Sequence, residues 1–221
     1  MAKITQVSDA HHVTPSDQEG LPEKERVVYR LRTPTVLDRM KVRRLTVEMG
    51  GRPITEITLA SSLRHGIRTI PDLDDTKRAA WLIIVDEFDD AAKTLVAARQ
   101  SLIGITNVEA IARMTEQQGI VELERVFNAA FDANEEVAAA VSDAYEPYRA
   151  HLAARDYGEE VEILAAFILL VTGATNLDGL KPSGDMGLSL DQLSRISDDH
   201  LAEVGARGLR LLQPSAGEAK N

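Results

Sequence analysis

The feature that most limits the fold is a single apolar stripe. Trp81, Val85, Phe88, Ala92 and Leu95 recur at alternating steps of four and three residues, and Leu82, Ile84 and Val96 widen the band. A period near 3.6 over Asp75–Gln100 predicts one long amphipathic helix, with Asp74 placed to accept its first N–H groups. Weaker stripes of the same period follow. Leu59, Leu63 and Ile67 mark a helix over 54–70, and Asn107 caps another reaching about Gln118. Ile120, Leu123, Phe127 and Phe131 mark a fourth. Asn134 then stands as the cap of a further helix carrying Val137, Val141, Tyr145, Tyr148 and Leu152, which Pro147 should kink or restart. Ile163–Val171 is apolar nearly all round, which suits a central buried helix and is too short to cross a bilayer.

The ends read differently. Residues 1–24 carry turn formers at every possible period and are expected to be a flexible or strapped arm. Arg26–Arg32 reads as one short strand, with Lys3–Val7 as its expected partner. Thr33-Pro34-Thr35 starts the next helix, Thr33 as cap and Asp38 near the positive end of the dipole. That helix places Val36, Leu37, Met40, Arg44, Leu45 and Val47 over four turns and stops at Gly50-Gly51. Gly173–Gly187 reads as a long loop, and two short helices follow Ser189 and Ser197. The expected architecture is mainly α. It comprises an arm at 1–24, one compact multi-helix domain at 25–213 with a short N-terminal β element, and a polar tail at 214–221.

Composition narrows the function classes. The 221 residues contain no cysteine, which excludes disulfides, thiol nucleophiles and cysteine zinc sites. No run of 18 apolar residues occurs and the first residues lack a signal-peptide core, so a soluble protein is expected. Charge is unevenly spread. Residues 26–52 hold eight basic and two acidic residues, a balance of +6 inside a chain of −10, which leaves −16 for the remainder. Arg39, Arg43 and Arg44 head this basic segment, and a protein partner fits it better than nucleic acid. It lacks both aromatic interleaving and a helix-turn-helix pattern. Asp86, Glu87, Asp89 and Asp90 cluster on one helix but lack the Gly-turned loop of a calcium site. Ser61, Ser62 and His65 have hydrolase residue types without the strand-to-helix turn that exposes a nucleophile. No Gly-rich motif cradles a phosphate. The expectation is a non-enzymatic binding protein without cofactor or metal, with Phe127, Phe131, Tyr145 and Tyr148 as candidate anchors for a partner helix.

Two regions together resemble the tail assembly chaperones of long-tailed bacteriophages and prophages. One is Val28-Tyr29-Arg30-Leu31-Arg32-Thr33-Pro34-Thr35-Val36-Leu37-Asp38-Arg39. The other runs from Leu190-Asp191-Gln192-Leu193 through Leu201-Ala202-Glu203-Val204-Gly205 to Glu218-Ala219-Lys220-Asn221. The resemblance implies a helical protein of the bacterial host cytoplasm that coats the amphipathic tape measure protein during tail assembly and then leaves. The alternative is a virion component, such as a connector or tail-completion protein, retained in the particle.

Overall fold

Capping residues and breakers cut the chain into helices where its periodicity predicts them, except that Ile120–Ala144 runs unbroken through Asn134 and Glu146–Leu170 unbroken past Leu152. A computed structural model describes residues 10–100, 119–182 and 187–213. Among these the chain is mainly α. Strands β1 (His11–Val13), β2 (Val28–Leu31) and β3 (Val171–Thr175) accompany helices α1 (Val36–Glu48), α2 (Glu56–Thr69), α3 (Asp75–Gln100), α4 (Ile120–Ala144), α5 (Glu146–Leu170), α6 (Leu190–Leu193) and α7 (Asp198–Leu212). The helix expected after Asn107, the strand expected at Lys3–Val7 and the polar tail at 214–221 lie outside the described residues. The described chain forms two compact units, one from the segments up to Pro53 and from Ala154 onward, the other from Ile54–Ala153.

In the first unit β2 lies between β1 and β3, antiparallel to both. Tyr29 and Leu31 alternate inward along β2 and are fully buried. Two expectations change here. The partner on one edge is β1, from the stretch read as an arm, and on the other edge it is β3, read as helix end and loop. The backbone passes directly from α5 into β3, and its glycine, Gly173, lies opposite Arg30. The apolar end of α5 is the buried centre that its composition predicts. Ala165, Ala166, Phe167 and Leu170 are inaccessible, with Tyr29, Leu31, Val171 and Val204 packed around Phe167 and Val42 against the two alanines. Helix α7 approaches so closely that a Cβ on Gly205 would lie 2.5 Å from the Ile163 carbonyl oxygen.

The arm from residue 10 is strapped down. The Ser16 N–H and hydroxyl donate to the Glu203 carboxylate at 2.9–3.1 Å. His200 bridges Asp17, through Nε2 at 2.9 Å, and the Tyr29 hydroxyl, through Nδ1 at 2.9 Å. His200 lies in the first turn of α7, where its N–H donates to the Ser197 hydroxyl.

The second unit packs α2, α3, α4 and the first turns of α5. Leu59, Leu63 and Ile67 of α2 meet Val85 of α3, Val137 and Val141 of α4, and Tyr148 of α5. Gly66 lets the α4 terminus close in, since a Cβ there would stand 2.7 Å from both Tyr145 and Val141 side chains. The Asp74 carboxylate accepts the Lys77 N–H at 2.8 Å, capping α3. The Arg78 guanidinium donates to the carbonyls of Ile67, Ile70 and Leu73, which supplies the orphan acceptors where α2 ends. Asn134 is not a cap. It sits inside the continuous α4, whose apolar period spans it, and its side-chain oxygen is buried without a hydrogen bond. Pro147 does restart the helix. Tyr145 takes an extended conformation between α4 and α5, and the proline falls in the first turn of α5, where its missing N–H costs nothing.

Candidate partner-binding face on the first helix

The rotation of α1 about its own axis is set at its first turn. Thr35, not Thr33, is the N-cap, because the Asp38 carboxylate accepts the Thr35 N–H at 2.7 Å and its hydroxyl at 2.8 Å. The same carboxylate accepts two bonds from the Arg32 guanidinium, at 2.6 and 2.7 Å. Asp38 is 3% exposed. The hydrogen-bonded Arg32 guanidinium holds its carboxyl well below the usual carboxylate range, and the Thr35 bonds add to this against the opposing effect of burial.

Once Asp38 points inward, a helix turning about 100° per residue must bring Val42 and Thr46 inward with it. These are the buried positions of α1, and Leu45 and Met49 lean against the core beside them. Of the residues expected along one stripe, Leu45 turns to the core and the others face outward. Val36, Leu37 and Met40 are each 65% exposed and Val47 is 62% exposed. Leu37, Met40, Arg44 and Val47 follow one another at steps of three, four and three, one continuous outer ridge. Arg43 flanks it, exposed; Lys41, half-buried, borders its other side. Arg44 lies within the ridge, 2.6 Å from Glu48, and both side chains are largely exposed. Where α1 begins, Leu37 and Lys41 also border a 360 Å³ cavity walled by Leu169 and Pro182.

The other predicted anchors separate into two environments. Phe127 and Phe131 come together with Phe88, with ring centroids 5.7–6.1 Å apart, on the facing sides of α3 and α4. Phe127 is half-buried and Phe131 is 39% exposed. A 460 Å³ cavity beside them is lined by Leu95 and Val96, with the Arg99–Glu124 pair at 2.7 Å on its rim. Tyr145 and Tyr148 do not join that cluster. Tyr148 is 5% exposed and Tyr145 packs on the same core beside His65, so both rings are spent on holding α2, α4 and α5 together. Arg39 is half-buried and partnered, which leaves Arg43 and Arg44 as the exposed members of the predicted basic trio.

Three carboxylates of the acidic cluster on α3 are engaged in ion pairs. Arg64 donates to Asp86 at 2.8 Å and Asp89 at 2.7 Å, and Lys93 pairs with Asp90. Among the described residues no group of three or more histidines and carboxylates is placed to hold a metal ion, and no helix is long and apolar enough to cross a membrane. Asp17, His200 and Tyr29 have the residue types of a proton relay, but Tyr29 is inaccessible and its hydroxyl is used by His200. Burial and the Asp17 charge push Tyr29 up to about 12. Sequence reasoning missed this bridge because 183 residues separate Asp17 from His200. It missed the outer ridge of α1 although a signal was present. Arg44 falls in the supposed core stripe, and Val42, Leu45 and Met49 offer a second apolar line on the opposite side.

No protein-family model, curated protein or solved structure matches the chain.

Proposed function

We propose that the protein is a non-enzymatic assembly chaperone of a bacteriophage or prophage tail, which binds the amphipathic helical tape measure protein in the host cytoplasm. The observation that carries this reading is the outer ridge of α1. A helix that keeps Val36, Leu37, Met40 and Val47 exposed, in the most basic segment of an acidic chain, has the character of a surface awaiting a partner. Scattered exposed apolar residues are ordinary, whereas four along a single helix face are a contiguous patch. The partner's identity comes from the resemblance of residues 28–39 and 190–221 to tail assembly chaperones.

A component retained in the virion is the second reading. A polar arm at 1–24 and a polar tail at 214–221 would suit a part that laces an assembly, but residues 11–17 are engaged with the chain's own β2 and α7. Co-expression with the tape measure protein tests the proposal. The expected result is a recovered complex and a larger soluble fraction of the partner. Unchanged solubility with no complex refutes it, and stoichiometric protein in purified particles establishes the virion component instead.

A further inference from the structure

We infer that the outer ridge of α1 docks a helix whose apolar stripe is flanked by carboxylates. This rests on the binding role proposed above and adds the partner's chemistry to it. The shape argument comes first. The ridge from Val36 to Val47 is about 16 Å long at 1.5 Å per residue, straight and one helix wide. Another helix laid along it interdigitates its own side chains with Leu37, Met40 and Val47. A strand would need an open sheet edge, which a helix surface does not offer.

Charge then selects among helices. Arg43 borders the apolar ridge and Arg44 sits within it, in the segment of local balance +6. The carboxylate that answers Arg44, Glu48, is bound to it in an exposed pair of four-residue spacing. Such pairs contribute little, so a partner carboxylate displaces Glu48 at small cost. A partner with lysine or arginine beside its stripe meets like charge at the same places. Specificity thus comes from the arginines and affinity from the apolar ridge.

The test uses the full chain and two synthetic peptides of about 20 residues, long enough to fold on contact. Both carry the same leucine stripe, one flanked by glutamates and the other by lysines. Fluorescence anisotropy should show the glutamate peptide binding at least about tenfold more tightly, with the preference shrinking as salt rises. Leu37→Ser with Met40→Ser should weaken it at least about tenfold, and Arg43→Glu with Arg44→Glu should reverse the preference. Circular dichroism melts check that the variants fold; Leu37→Ala with Met40→Ala serves where the serine variant does not. Equal binding of the two peptides overturns the inference. So does binding that ignores all these substitutions, a self-association that Met40→Ser dissolves, or duplex DNA binding in place of peptide binding. Failure of tape measure co-expression while the glutamate peptide still binds removes the tail role and leaves the docking chemistry standing. A tape measure complex that survives both pairs of substitutions does the reverse.

Discussion

Replacing Asp38 with asparagine tests the device that sets the rotation of α1. The Asp38 carboxylate accepts four hydrogen bonds, two from the Arg32 guanidinium and two from Thr35, and is 3% exposed. An asparagine keeps its oxygen where three of these donors converge and turns its amide N–H groups toward the remaining Arg32 donor. One charge-assisted bond is lost, worth about 1.5–3 kcal/mol, and Arg32 loses the charge of Asp38. Breaking a buried pair costs about 3–5 kcal/mol when the orphaned charge stays buried. The Arg32 side chain is 37% exposed and regains water, so the expected loss is about 2–3 kcal/mol. Urea unfolding at neutral pH measures it. The pH dependence gives an independent check. Because the folded-state pKa of Asp38 lies below its unfolded value of about 3.9, the pair contributes fully above that pH. Its contribution is lost as pH falls through the folded value. Wild-type stability should therefore decline below about pH 4, and Asp38→Asn should lack that part of the decline. A variant within about 0.5 kcal/mol of wild type, or one with an unchanged acid slope, refutes the claim that this pair anchors the helix.

Three further outcomes follow from contacts in the two units. Gly205→Ala should cost about 1–3 kcal/mol in a urea titration, since its Cβ would meet the Ile163 carbonyl at 2.5 Å, although alanine is intrinsically the better helix former; a stabilised variant would show that α7 can move away. Phe127→Asp should lower the thermal midpoint more than Phe131→Asp, because Phe127 is the less exposed of the stacked pair; the reverse order contradicts the packing of α3 on α4. Absorbance titration should show Tyr29 ionising near 12, a transition absent in Tyr29→Phe. As that value exceeds the unfolded value of about 10, the contribution of Tyr29 to stability is present below pH 10 and declines as pH rises toward 12. An early titration of all four tyrosines refutes the burial of its hydroxyl.

Elements whose stripe and caps agree are legible in the sequence. Asp74, Trp81, Val85 and Leu95 give α3 its place and its inward face with no tertiary information. Pro147, Gly50, Ser189 and Ser197 mark boundaries for reasons local to the backbone. Misreadings occur where two local solutions compete. Thr33 and Thr35 are both good caps, and Arg32 decides by drawing Asp38 toward the second. Asn134 suits a cap, but about four helical turns before it and nearly three after it, with continuous apolar spacing, outweigh it. Val171–Thr175 follows an apolar helix without a break and carries Gly173 and Ala174 at its centre, so it does not announce a strand, and it becomes one by pairing with β2.

The sequence alone determined the mainly helical class, the buried character of the Ile163–Val171 run and the concentration of positive charge between residues 26 and 52. All three are properties of periodicity or composition, which do not depend on what lies nearby in space. Tertiary structure decided which way the basic segment presents itself. Helix α1 carries apolar residues on two sides, so its own pattern permits two rotations. The choice falls to the Arg32–Asp38–Thr35 bonds at its first turn and to the seat for Val42 against Ala165, Ala166 and Leu170. That choice turns Leu37 and Met40 outward among the arginines. A stripe that reads as core on the page becomes the surface on which the proposed function rests.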